Sequence, residues 1–348
     1  MTPRIPPLTT PVAEAEGSIN PLWHRYFQAL QSKIGDANGL PDAPNNGLFY
    51  ARRNQAWQSF TIPDPINPYG QVNVYNVGFT EGMYPNVPSA IAAINAGVPP
   101  SVNNRSMVYV WPGKYVTSSV ITVPQFVGIK GLSKGLVQFQ NDSTDLFKCS
   151  GDTFFEDFLV EGSPNASLYA FDGNNANAVH VRNVDMLRNV GDVSRQKFLK
   201  QSGATWEILF IEHCIIDYRA LNDYAVLLEN TSGAARFVDT NINDVFFDAF
   251  NLTNFGGSFL LRGVQDVRIK RSTIRGAATW NTGIRLERFG VTGTPSVEVR
   301  QCDMAGPQNA AGGVSIFNEA GTAAYVSNTD APNSIFSGAS VVRNSFVT

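Results

Sequence analysis

Phe147-Lys148-Cys149-Ser150-Gly151, followed by Phe155-Glu156-Asp157, sets out a two-part form that the chain goes on to repeat. In the second part an apolar residue ends a short strand and two polar residues follow. That part recurs at Val181-Arg182-Asn183, Ile211-Glu212-His213, Val238-Asp239-Thr240, Ile269-Lys270-Arg271 and Val299-Arg300-Gln301, with Ile129-Lys130 ahead of it. The leading residues step by 26, 26, 30, 27, 31 and 30, and Val342-Arg343-Asn344 continues the form after a longer insertion. The first part, a strand closed by a glycine turn, falls between these positions. It returns at Phe171-Asp172-Gly173, Leu199-Lys200-Gln201-Ser202-Gly203, Leu228-Glu229-Asn230, Leu261-Arg262-Gly263, Leu286-Glu287-Arg288 and Ile316-Phe317-Asn318.

A fixed period of this size, with several strands and turns per unit, marks a solenoid. Leucine-rich lines are absent from the sequence, and the units are too short for propeller blades. Irregular loops on a β-sandwich explain the repeat less well. The pattern predicts an all-β chain, a right-handed single-stranded parallel β-helix. Each coil adds about 4.8 Å of height, so seven or eight make a rod on the order of 35 Å.

Composition agrees. Charged residues are only 16% of the 348, and Gly and Pro together make 50 (30 and 20). That suits strands and turns rather than helical bundles. The net charge of −3 argues against non-specific binding to nucleic acid or to an anionic membrane. No apolar run is long enough to span a bilayer. No basic segment leads into an apolar one at the N-terminus, so no secretory leader is expected. Cys149, Cys214 and Cys302 lie far apart and read as free buried thiols of a protein made in a reducing cytoplasm.

The first 80 residues read differently. Pro3, Pro6, Pro7 and Pro11 favour an extended arm. Asn20 and Pro21 open a helix over 20–34, with Trp23, Tyr26, Phe27, Leu30 and Ile34 on its apolar surface. So short a helix needs a partner to pack on. Residues 41–57 read Pro-Asp-Ala-Pro-Asn-Asn-Gly-Leu-Phe-Tyr-Ala-Arg-Arg-Asn-Gln-Ala-Trp, two turns and two short strands that make a small hairpin. Further on, Val87, Ile91 and Ile94 share one helical face, with Pro88 at the start and Gly97 at the stop. Strands at Met107–Val110, Ile121–Pro124 and Val127–Gly131 come next. The expected division is an arm and anchoring helix over 1–39, a β anchor over 40–80, and a capping helix with the β-helix over 81–348.

The hairpin resembles a motif of phage tail-fibre and tailspike proteins, DAPxDGxxYxRxNGxW. Gly47, Tyr50, Arg52, Asn54 and Trp57 keep its order and spacing, while Asn46 and Gln55 depart from it. The capping helix and the strands after it, with Pro112-Gly113-Lys114-Tyr115, resemble the opening of the pectin-lyase-like β-helix superfamily. The resemblance implies a virion protein of the phage tail, a fibre or spike used in host adsorption. It implies a homotrimer whose N-terminus docks on a tail adaptor, nozzle or other virion protein, with Trp23, Tyr26, Phe27, Leu30, Ile34, Tyr50, Arg52 and Trp57 as anchor or oligomer contacts. Host surface polysaccharide is the implied outer partner. A polysaccharide depolymerase and a head fibre or capsid decoration protein are the other readings.

Candidate chemistry is sparse. The residues after the apolar positions form an outward column: Lys130, Glu156, Arg182, Glu212, Asp239, Lys270, Arg300 and Arg343. Signs mostly alternate, which favours cross-strand pairing. Glu212 beside Asp239 breaks the rule, and two carboxylates one rung apart approach the separation used by retaining glycosidases. They are the weak catalytic candidates, against a charge ladder with one imperfect rung. Gly131-Leu132-Ser133-Lys134-Gly135 fits GxSxG in form only, because a strand rather than a helix follows it. His24, His180 and His213 have no partners at metal-ligand spacing. The aromatic stretch Asp244–Asn251 reads as core plus turn rather than as a saccharide-binding wall. With no phosphate-binding loop, Rossmann fingerprint or zinc motif, no cofactor or metal is expected.

Overall fold

The computed structural model describes residues 50–53, 56–59, 71–80, 83–141, 143–163, 167–174, 176–188, 196–203, 208–217, 224–231, 233, 236–248, 257–275, 282–304, 314–343 and 345. The chain divides into two compact units, 1–66 and 67–348. In the first, β1 (Tyr50–Arg53) and β2 (Ala56–Ser59) pair antiparallel, with Arg52 opposite Trp57. This is the hairpin read from the sequence. The expected helix over 20–34, with Trp23, Tyr26, Phe27, Leu30 and Ile34, lies outside the described residues.

The second unit is a right-handed parallel β-helix. Three parallel sheets run its length, with eleven, nine and seven strands among the described residues. Each coil visits the nine-stranded sheet, then the eleven-stranded sheet, then the seven-stranded one. Parallel neighbours need such crossovers, which take the right-handed path. The long sheet starts at β3 (Gln71–Val77), which pairs with β4 (Asn104–Val110). The solenoid therefore begins inside the segment 40–80 that the sequence assigned to the anchor. Helix α1 (Val87–Ala96) sits between these first two strands. The Asn86 side chain accepts the Ser89 N–H at its start, and Gly97 closes it. Val87, Ala90, Ile91 and Ile94 cover the N-terminal end of the core.

Strand alternation fills the interior. On the long sheet Val108, Ile129, Phe155, Val181, Ile211, Ile242, Ile269, Val299 and Val326 stack as neighbours and are at most 1% exposed. On the nine-stranded sheet the column runs Ile121, Phe147, Phe171, Leu199, Val226, Phe259, Ile284, Ile316. The early coils are aromatic. Phe171 lies 4.8 Å from Phe155, 5.6 Å from Phe147 and 5.3 Å from Phe198, ring to ring. Later coils are mostly branched aliphatics, with Phe259 a buried aromatic among them. Ten steps between eleven strands give a height of roughly 48 Å.

Seven successive corners leaving the long sheet share one design. A single left-handed residue makes each, at Asp157, Asn183, His213, Asp244, Arg271, Gln301 and Asn328, with φ between 48° and 63°. None of the seven is glycine, and each donates its N–H to the next coil, as His213 does to the Asn243 carbonyl at 3.1 Å. The following side chain turns inward. Where it is Cys214, Ser272, Cys302 or Thr329, its S–H or O–H donates back to the carbonyl two residues earlier, at 3.2, 3.0, 3.3 and 2.9 Å. Burial pushes the Cys214 thiol up to about 12 and Cys302 to about 11, so both remain protonated donors. The thiols are buried and unpaired by disulfides, as their spacing implied.

Phe171→Ala removes a ring that four other phenylalanines touch. Thermal or urea unfolding should show a loss of about 3–5 kcal/mol, the usual cost of emptying a large buried aromatic site. A loss below about 1 kcal/mol would mean that this core is not packed as described.

Candidate functional surface

The outward residues of the long sheet form two adjacent columns. The first is the charge column of the sequence, with two corrections. Register sets Arg182 beside Glu212, Glu212 beside Asn243, and Asn243 beside Lys270. Asp239 lies opposite Ile208, four residues back along β19 (Arg236–Asn243). The expected pair of carboxylates on neighbouring coils does not form. The cause is the pairing itself: residues 208–212 pair without interruption with 239–243, so Ile242-Asn243 rather than Val238-Asp239 falls beside Ile211-Glu212. The second correction is an additional coil, β27 (Ala323–Ser327), inside the supposed long insertion, so Ser327 stands between Arg300 and Arg343.

The column thus reads Lys130, Glu156, Arg182, Glu212, Asn243, Lys270, Arg300, Ser327, Arg343. Its acids are engaged. Lys130 Nζ lies 2.6 Å from Glu156 and 3.2 Å from Asp157. Partial burial works against the Lys130 charge, but these bonds outweigh it and hold its pKa above the ordinary value. Asn243 donates to the Glu212 carboxylate at 3.1 Å. At the corner, Arg271 grips Asp244 with two bonds of 2.8 Å, which hold that carboxyl below its usual range. His213, which the sequence placed at a repeat position, is the corner residue of its coil and lies 3.7 Å from Asp244.

The second column holds Met107, Gly128, Phe154, His180, Phe210, Asn241, Arg268, Glu298, Tyr325 and Val341. The His180 ring stacks on Phe210 at 4.9 Å and tilts against Phe154 at 6.5 Å. Burial between the rings lowers its pKa from 6.5. Asp152, 3.9 Å away, opposes that shift, as does Glu212, while Arg105 adds to it.

A third cluster lies on the nine-stranded sheet, and the sequence reading missed it. Arg262 bonds Glu287 at 2.9 Å and Glu229 at 3.2 Å, one from the coil on each side, and Arg285 bonds Glu287 at 2.6 Å. Its trace was present in Leu228-Glu229, Leu261-Arg262 and Leu286-Glu287, an alternating column like the first. Gly131-Leu132-Ser133-Lys134-Gly135 is a corner between two strands, β7 (Val127–Gly131) and β8 (Val137–Gln140), and Lys134 there pairs with Asp185 at 2.8 Å. Tyr50, Arg52 and Trp57 occupy the hairpin of the first unit, and only their backbone is described.

No family model matches this chain. No curated protein matches it either. Solved structures do. ORF18 of Geobacillus virus E2 is 14% identical, with 83% of this chain and 60% of that one covered, at a TM-score of 0.43. Pectin methylesterase PemA of Erwinia chrysanthemi is 12% identical over 77% and 80%, at 0.32. The Dettilon tailspike protein is 10% identical over 74% and 64%, at 0.25. The chain thus spans 60% of the length of the virus protein.

The His180 stack sets a pH dependence. A depressed folded-state pKa means that the unfolded chain binds the proton more readily. His180 therefore contributes full stability above about 6.5, and the contribution is lost as the pH falls toward the lower folded value. Melting temperatures measured between pH 7.5 and 5 should fall more steeply for the native chain than for His180→Phe, which keeps the aromatic column. Parallel slopes would refute this assignment.

Proposed function

We propose that this chain is a structural virion protein of a bacteriophage, a tail fibre or spike that binds and positions without cleaving. The observation that carries this reading is the N-terminal hairpin. Tyr50, Arg52 and Trp57 stand in the order and spacing of the tail-fibre motif, and Arg52 and Trp57 face each other across the two strands. A solenoid follows, and its outer faces carry ladders of charge. An anchor ahead of a rod suits a part that attaches at one end and reaches outward with the rest. In this reading the N-terminal unit docks on a tail protein, three copies assemble, and the solenoid meets the host surface.

Cleavage of polysaccharide has no place in the proposal. The acids suggested for it, Glu212 and Asp239, are not neighbours. Glu212, Glu229 and Glu287 are each bonded to an arginine or an asparagine, which suits a ladder that stiffens a rod.

Immunogold electron microscopy tests the proposal. Antibody is raised to the purified chain and applied to phage particles recovered from lysates of producing cells. Gold on projections around the tail is the expected result. Gold spread over the capsid would replace it with head decoration, and unlabelled particles would overturn the virion assignment.

A further inference from the structure

The charge column changes character along the rod. From Lys130 to Glu212 cations and carboxylates alternate; from Asn243 onward the column holds Lys270, Arg300 and Arg343 and no acid. The neighbouring column adds Arg268 and one carboxylate, Glu298, which pairs with Arg300. In a chain of net charge −3, the two columns set Arg268, Lys270, Arg300 and Arg343 against Glu298, with Asp266 exposed on the strand that carries Arg268 and Lys270, and this part of the face is net basic.

The same face is hollowed there. A cleft of about 300 Å³ is lined by Glu298, Arg300, Tyr325, Ser327, Val341 and Arg343. Its floor is low because Ser327 occupies the position that a long charged side chain fills on other coils. Arg300 and Arg343 flank it, two coils and therefore roughly 10 Å apart. Tyr325, about half exposed (49%), and Val341 supply an apolar wall on the adjoining column.

We propose that this cleft binds the anionic groups of an acidic saccharide. A carboxylate or phosphate seated over Ser327 comes within reach of both guanidinium groups, which bind such planar or multi-oxygen anions by paired hydrogen bonds. The Ser327 hydroxyl donates between them, and the Tyr325 ring packs on the sugar's apolar face. Lys270 and Arg268 extend the basic track by a further coil, so a polymer with a repeated charge fits better than a single sugar. The inference deepens the adsorption reading by naming the chemistry of the ligand.

The test is affinity electrophoresis of the full chain through gels containing polygalacturonate, poly(glycerol phosphate) or neutral dextran. Retardation by a polyanion, weakened by salt, and none by dextran is expected; the polymer that retards identifies the anion as carboxylate or phosphate. Arg343→Gln should weaken binding about tenfold. Ser327→Glu, which restores an acid to the ladder, should abolish it. Arg182→Gln carries the same charge change as Arg343→Gln but lies in the alternating half, and should bind like the native chain. Equal weakening by Arg182→Gln and Arg343→Gln, retention on dextran, or no retention on either polyanion would overturn the proposal. Circular dichroism and melting of each variant confirm the fold. Failure here with gold on the tail would sink the cleft alone, and unlabelled particles with an intact binding pattern would sink the virion reading alone.

Discussion

One corner holds this solenoid in register. In seven successive coils the chain leaves the long sheet on one left-handed residue, whose N–H bonds the carbonyl of the coil above. A parallel strand has no tight hairpin to fix its pairing, and a slip of one residue would send every inward side chain outward. The corner removes that freedom. The left-handed conformation costs an ordinary residue about 1 kcal/mol or more, so seven such corners must be held by what surrounds them. The ladder hydrogen bonds, the inward hydroxyls and thiols, and the ion pairs of Asp157 and Asp244 supply the restraint.

Register in turn decides what the surface can do. Because each outward residue faces its counterpart one coil away, the exterior consists of columns, and chemistry depends on who neighbours whom. Pairing four residues further along one strand sets Asn243 rather than Asp239 beside Glu212 and turns a suspected acid pair into a hydrogen-bonded ladder step. A serine in place of a charged residue at 327 opens a cleft between two arginines. The fold needs little from these outward positions, which leaves them open to change without loss of the core.

Much of this was legible in the sequence. The period, the inward column of the long sheet except at one strand, the capping helix with Pro88 near its start and Gly97 at its stop, and the hairpin at 50–59 all follow from local patterns with strong steric or hydrophobic causes. The errors came where the pattern is locally degenerate. Val238-Asp239-Thr240 and Ile242-Asn243-Asp244 both read as an apolar residue followed by polar ones, and pairing with the strands on either side, residues 208–212 and β22 (Val264–Lys270), chooses between them. Gln71–Val77 carried strand character, but the adjoining motif drew it into the anchor. The coil at 323–327 escaped notice because its outward residue is an uncharged serine. The Glu229–Arg262–Glu287 step needed the register of the nine-stranded sheet before its three residues could be read together.

Cysteine cross-linking tests the register most directly. Directly paired residues on parallel strands stand about 4.8 Å apart, within the span that a disulfide bridges. Asp239 lies four residues from Asn243, on the order of 13 Å along the strand. The double variant Glu212→Cys/Asn243→Cys should oxidise to an intramolecular disulfide in the folded chain, and Glu212→Cys/Asp239→Cys should not. The reverse result would restore the acid pair and contradict the register on which the whole surface is read.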